Sequence, residues 1–300
     1  MPIPGDIIGG GAFIDSTYNG TRIELESPTK IILSPFIGSA ITIARQPYDA
    51  ASFAKLFANS SVMNSDGTNS GVPLADDTLY FVYACSNVSA YPFTLAASDS
   101  PPIAVGADWY LGTSGEGIYA RFVGCVVLKS AAFVDSETQR LVWNQWNRIE
   151  KSVFVCPNFS GGGSIATYVV NEAAFASIAG DPASQVEYIT GPTSGVLAGD
   201  VCSFDVHGMV NAATTQPLYF GLGIDGPADS IALSALGTGA IAKSCTSFEY
   251  NVTADSTWTK HAAYLLAMTN GVNATIVANE DSLGGSSSPA ATYLAGLVWC

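Results

Sequence analysis

Three hundred residues, 48% of them apolar, are enough for two cores of ordinary domain size. Only 12% of the chain is charged, against about 25% in ordinary soluble proteins. The 11 Lys+Arg face 25 Asp+Glu for a formal net charge of −14. The deficit of base runs through both halves: eight Lys+Arg against 14 Asp+Glu over 1–150, a net of −6, and three against 11 over 151–300, a net of −8. This balance excludes a nucleic-acid backbone, which is bound by Lys and Arg, and an anionic membrane surface as partners.

Residues 1–20 carry Pro2, Pro4 and Gly9-Gly10-Gly11 and read as an extended N-terminal arm. With Asp6 and no Lys or Arg, the opening MPIPGDIIGGGAFID lacks the basic region of a signal peptide, so synthesis in the cytoplasm and release by lysis are expected. From Thr21 the pattern becomes β. Arg22-Ile23-Glu24-Leu25-Glu26 alternates as a half-buried strand does, Ser27-Pro28 breaks it, and Lys30–Leu33 and Ala40–Ala44 follow. In Asp49–Ala58, Phe53, Leu56 and Phe57 fall at helical spacing and predict a short helix. Asp66-Gly67 marks a tight turn in the polar stretch 59–71.

Thr78–Cys85 is the clearest strand. Tyr80 and Val82 face one way, Phe81 and Tyr83 the other, so both faces must be covered. Tyr91–Leu95 is its expected hairpin partner, with Pro92 tolerable at an edge. Tyr119–Leu128 is a further strand, in which Gly124 predicts a bulge or a close backbone approach. Arg140–Arg148 closes the first domain. Trp143 and Trp146, and Asn144 and Asn147, repeat at a spacing of three, which leaves helix against strand open. The run CPNFSGGG at 156–163 is the best linker. Beyond it, Val186–Thr190, Gly199–Val206, Leu218–Ile224, Ile231–Leu236, Ser247–Val252 and His261–Met268 are strands separated mostly by Gly, Pro, Asp and Asn. The last apolar run, Ala291–Trp299, is far short of the ~20 residues of a membrane span and fits a buried strand. The reading is an all-β chain with two β-sandwich or jelly-roll-like domains, at 21–155 and 160–300, behind the arm.

The stretch from Thr78 to Arg148 reads TLYFVYAC, LAASDS, RFVGCVVL and VDSETQRLVWNQWNR in order. It resembles the small β-rich module of tail, fibre and decoration proteins of tailed bacteriophages, in which a YxVYxY strand and a Gly-containing strand precede "DS…RLVWNxxNR". The resemblance covers about 30–150 and departs from the first pattern at Cys85. It implies a non-enzymatic virion structural protein that decorates or sheathes the tail, collar or capsid. Its partners would be copies of itself, as a trimer or ring, and other virion proteins. It also favours strand followed by turn over 140–148.

Candidate chemistry is sparse. Six cysteines, Cys85, Cys125, Cys156, Cys202, Cys245 and Cys300, form no CxxC pair. They read as small buried residues or as thiols that oxidise after release; Cys85 with Cys125 is a possible internal bridge, and Cys300 a mobile thiol able to reach a neighbour. Asp205 and His207 share a strand face but lack a third metal ligand, and Cys202 faces away from them, so neither a metal site nor a Cys-His-Asp group is expected. Asp76-Asp77 and Glu280-Asp281 are adjacent pairs that cannot straddle a scissile bond. No cofactor is expected, nor an enzyme, a glycan depolymerase being the rival. Trp143, Trp146, Arg140, Arg148, Tyr80 and Tyr83 are expected in packing or subunit contact, with Arg140 and Arg148 expected to pair with carboxylates such as Asp135 and Glu137 and so hold the end of the module. A second reading makes Trp109-Tyr110, Trp143, Trp146 and Trp258 stacking faces for host glycan at a receptor-binding fibre tip.

Overall fold

The computed structural model describes residues 19–43, 46–49, 54–87, 90–105, 108–112, 119–156, 166–170, 176–177, 185–192, 201–210, 218–226, 230–236, 244–253, 257–269, 274–279 and 293–300. The arm over 1–18, the linker at 157–163 and Glu280-Asp281 lie outside them. Every regular element described is a strand. The chain divides into two compact units: Met1–Asp135 with Leu141–Ile149 and Cys300, and Ser136–Arg140 with Glu150–Trp299. The sequence places the division at 155/160. The strand Glu150–Val155 instead pairs antiparallel with Tyr293–Trp299 in the second unit.

In the first unit a seven-stranded sheet is built around Leu79–Asn87, Ala90–Ser98 and Ala120–Lys129, with Leu79–Asn87 between the other two. Both faces of this central strand are buried, as its all-apolar run requires. Ala90–Ser98 ends the sheet order, an edge position that tolerates Pro92. A three-stranded sheet, Thr21–Ser27, Lys30–Pro35 and Lys55–Phe57, contributes to the same core: Ile23, Ile31, Leu33 and Leu56 cluster with Tyr80, Val82, Val123, Val126 and Val142. The helix expected over 49–58 is not formed where the structure describes it. Lys55–Phe57 is a strand whose Leu56 pairs with Ile31 and is buried, while Phe57 turns out to solvent. Burial of alternate residues against the neighbouring strand outweighed a helical spacing of three apolar residues, one of which, Phe53, is outside the described set.

The second unit is a sandwich of two six-stranded sheets. When segments lying end to end are counted as one strand, nine described strands remain, the short Gln139–Arg140 and eight that make up the sandwich. One sheet takes the first (Glu150–Val155 with Ala166–Val170), eighth (Ala274–Asn279 with Tyr293–Trp299), third (Val201–Val210) and sixth (Ser244–Thr253). The other takes the second (Ala176–Ser177 with Gln185–Thr190), seventh (Thr259–Thr269), fourth (Leu218–Ile224) and fifth (Ser230–Leu236). All these pairings are antiparallel, and the order is that of a jelly roll. Gln139–Arg140 adds a short parallel strand beside Gln185–Thr190. The sheets meet through Tyr188 and Phe204, whose ring centroids lie 5.4 Å apart. At Gly208 a Cβ would stand 2.3 Å from the Phe220 ring, so only glycine lets the layers close there.

Candidate functional site

The WNQWNR stretch is a strand, Val142–Asn144, followed by a bend at 145–147, the form implied by the module resemblance. Trp143 is 1% exposed and stacks on Phe122 with centroids 6.5 Å apart, and the Arg148 guanidinium lies 5.3 Å above its ring. Burial of Arg148 pushes its pKa below the ordinary value. The buried Asn144 side chain acts as a missing strand: its Oδ1 accepts from the Ile23 N–H at 2.6 Å and its Nδ2 donates to the Ile23 carbonyl at 3.1 Å. Asn147, in the left-handed region at φ 56°, donates Nδ2 to the carbonyls of Asn19 at 3.0 Å and Thr21 at 2.9 Å. The two asparagines therefore fasten the start of the Thr21–Ser27 strand to the large sheet. Gly124 is both things the sequence offered. The ladder slips between Phe122 and Gly124, and a Cβ there would meet the Trp143 carbonyl at 2.2 Å.

Tyr80 and Tyr83 are both buried, and each hydroxyl serves the backbone. Tyr80 Oη accepts from the Ala75 N–H at 2.8 Å, and Tyr83 Oη donates to the Ser100 carbonyl at 2.9 Å. Burial, and then the neighbouring Cys125 and Cys85 thiols, raise the Tyr83 phenol above its ordinary value. Sequence reasoning missed Arg121. It is fully buried, its Nε 2.7 Å from Asp108 Oδ2 off the N–H axis, its Nη1 donating to the Thr42 carbonyl at 2.7 Å, and its guanidinium 5.4 Å from the half-buried Trp146 ring. Desolvation pushes the Asp108 carboxyl up, with the Arg121 charge opposing it. A lone base inside the apolar run ARFVGCVVL was the available signal, because a charge in a doubly covered strand needs a partner.

Arg140 belongs to the second unit. It donates Nε at 2.9 Å and Nη2 at 2.8 Å to the Ser152 carbonyl, and the Phe154 N–H donates to the Glu137 carbonyl at 2.9 Å. The outer edge of Glu150–Val155 is thus closed by Ser136–Arg140, a protection against edge-to-edge pairing. Beside it, Glu187 accepts from Gln139 Nε2 at 2.7 Å and Lys260 Nζ at 3.3 Å.

The internal Cys85–Cys125 bridge offered as an alternative does not form: both are free thiols. Cys85 lies opposite Ala120 and Cys125 opposite Phe81, four ladder positions apart. At about 3.3 Å per residue this is well beyond the ~7 Å that a disulfide spans. Burial holds both thiols up, Cys85 at about 12 and Cys125 well above its ordinary value. The terminal Cys300 is not a mobile thiol. It is buried, and its N–H and carbonyl bond the carbonyl and N–H of Ile149 at 2.9 and 3.0 Å. Cys202 is buried and Cys156 half-buried; Cys245 has a described backbone, opposite Met209, but its side chain lies outside the described set.

Cys202 does point away from Asp205 and His207, into the sandwich. Among the described residues no group of three His, Cys, Asp or Glu could hold a metal. Asp76 accepts from the Ala131 N–H at 2.7 Å, and Asp77 pairs with Lys129. The second histidine makes a relay that sequence reasoning did not find: His261 Nδ1 lies 2.7 Å from Asp225 Oδ2 and its Nε2 3.0 Å from Thr190 Oγ1. The hydroxyl is at the buried end and the carboxylate at the half-exposed end, the reverse of a nucleophile presented to substrate. Asp225 also accepts from the Ala262 N–H at 2.9 Å, so the relay pins the turn after Leu218–Ile224. Of the expected sugar-stacking residues, Trp143 and Tyr110 are buried, while Trp109, Trp146 and Trp258 are half-buried.

No family model and no curated protein matches the chain. Solved structures with partial likeness include the CBM36-1 domain of a multidomain xylanase from the hindgut metagenome of Trinervitermes trinervoides, 13% identical over 49% of this chain and 96% of that one, with a TM-score of 0.25. The dimeric latent PorU of Porphyromonas gingivalis is 7% identical over 80% of this chain and 21% of that one, with a TM-score of 0.28. The VP2 subviral particle of infectious bursal disease virus is 8% identical over 72% of this chain and 46% of that one, with a TM-score of 0.26. These likenesses are too slight to transfer a fold or an activity, and the β-sandwich assignment stands on the strand pairings themselves.

Proposed function

We propose that the chain is a non-enzymatic structural protein of a tailed-bacteriophage virion, decorating or sheathing the tail, collar or capsid as a homo-oligomer. The observation that carries this reading is the use made of the RLVWNQWNR residues. Trp143, Asn144, Asn147 and Arg148 pack, clamp and cover the first unit, and Arg140 caps a sheet edge in the second. A motif whose polar groups are engaged in holding backbone serves a scaffold. The jelly-roll order of the second unit supports the reading, since capsid and lectin domains recur on that topology, although a topology hosts many functions. A surface poor in ionised groups also suits repeated contact with protein neighbours, because few charges need desolvation there. Mass spectrometry of purified, salt-washed particles tests the proposal, with native mass measurement of the purified chain. The expected result is a fixed copy number per particle and a trimer or ring in solution. Absence from particles, with a monomer at high concentration, refutes it.

A further inference from the structure

The large apolar side chains of the second unit that stand exposed among its described residues, Phe154 at 40% and Leu297 at 42%, lie on one face. That face is the outer side of the sheet containing Glu150–Val155, Tyr293–Trp299 and Val201–Val210. Val153, Val155, Leu294, Val298, Cys202, Phe204 and Val206 point into the sandwich, so the alternate residues of each strand point out. In register, Phe154 lies opposite Ala295 and Ala295 opposite Asp205, while Tyr293 lies opposite His207. The rings form a row over three neighbouring strands: Phe154 and Tyr293 centroids are 5.7 Å apart, and Tyr293 and His207 are 4.9 Å apart and within 10° of parallel. Ser152 and Ser203, both opposite Leu297, put short hydroxyl side chains on the same face. Asp205 is close enough to Tyr293 that, after burial, its charge is the second cause raising the phenol.

An exposed Phe154 ring and half-buried Tyr293 and His207 rings beside a carboxylate and small hydroxyls match a ligand that is apolar on its flat C–H faces and hydroxylated around its rim. Charge narrows the choice. The net −14 opposes an acidic polymer, and Asp205 is an acceptor that seeks hydroxyl donors. A second copy cannot extend this sheet at its Phe154 edge, because the Arg140 guanidinium and the Glu137 carbonyl already occupy the backbone groups of Ser152 and Phe154. We propose that this face binds a neutral saccharide chain, with Phe154 and Tyr293 stacking on sugar C–H faces and Asp205 accepting from sugar hydroxyls. It deepens the glycan-recognition reading and moves it from the tryptophans to the jelly-roll sheet. It holds whether or not the chain belongs to a particle, so its failure leaves the virion reading standing, and the reverse.

The test is an immobilised array of neutral and acidic bacterial surface oligosaccharides, probed with the full chain and followed by titration of any retained oligosaccharide. Retention of a neutral oligosaccharide is expected. Phe154→Ala and Tyr293→Ala should each weaken it about 10-fold or more, the scale of one lost aromatic contact, with an unchanged melting temperature. Phe57→Ala, an exposed ring of the first unit, should leave binding as it was. If either ring variant does not fold, Asp205→Asn carries the test, with weaker binding expected. Retention of no neutral oligosaccharide overturns the proposal, as does binding that these variants leave unchanged. A shift in native mass on Phe154→Ala without loss of sugar binding also overturns it, marking the face as a contact between copies.

Discussion

Asn144→Ala removes the group that stands in for a strand beside Ile23. The Ile23 N–H, now 2.6 Å from Oδ1, and its carbonyl, now 3.1 Å from Nδ2, would both be left in a fully buried site. An abandoned buried backbone group costs about 1–3 kcal/mol, so the two together should cost about 2–6 kcal/mol. At about 2–4 °C per kcal/mol for a domain of this size, a mid-range loss of 4 kcal/mol lowers the melting temperature by about 8–16 °C. Urea unfolding measures the energy, and amide hydrogen exchange at Ile23 locates it. Protection at Ile23 should fall more than at Val82, which sits in the central strand. A loss under about 1 kcal/mol, or unchanged protection at Ile23, would refute the clamp.

Trp143→Ala should cost about 3–5 kcal/mol in urea unfolding, since a fully packed indole is removed. Arg121→Ala alone should cost about 3–5 kcal/mol by stranding Asp108, whereas Arg121→Met with Asp108→Leu should recover most of that loss; equal losses for the single and double variants would contradict the pairing. Arg140→Ala should change stability by only about 1 kcal/mol yet produce concentration-dependent association in light scattering, because the Glu150–Val155 edge is opened. Burial raises the Cys202 thiol to about 11. The unfolded thiol, near its ordinary value of ~8.5–9, releases its proton first, so the unfolded state binds fewer protons at high pH. Stability contributed by this group is full below about pH 8.5 and should be lost between there and about pH 11, by about 2–3 kcal/mol in all. Cys202→Ala should flatten that part of the stability curve, and an unchanged slope would remove Cys202 as its source.

Much of the β architecture was written locally. Runs apolar on both faces at 79–87 and 120–129 had to be central strands, because a doubly apolar strand cannot face water. Gly124 announced a close approach because glycine weakens a strand that has no need of it. Arg121 was legible in principle as a charge amid apolar neighbours. Other features depend on residues far apart in sequence. The partner of Asn144 is 121 residues away, so spacing revealed a Trp-Asn cluster without revealing that asparagine amides replace a strand. The turn at Ser130 and Ala131 is left-handed at both positions without a glycine or asparagine to mark it. The short helix expected near Leu56 yielded to a ladder with Ile31 that no local pattern encodes.

The alternation of apolar and polar residues, the scarcity of charge and the glycine positions settled on their own that this chain forms sheets and which side of most strands is dry, because side-chain period and solvation are properties of neighbouring residues. The tertiary structure alone decided which strands meet. It set the first strand of the jelly roll beside the eighth, lent Ser136–Arg140 to the second unit, returned Cys300 to the first and ranged Phe154, Tyr293 and His207 in one row. Register between strands more than a hundred residues apart is chosen by how two whole faces pack together, and no local stretch of residues carries that information.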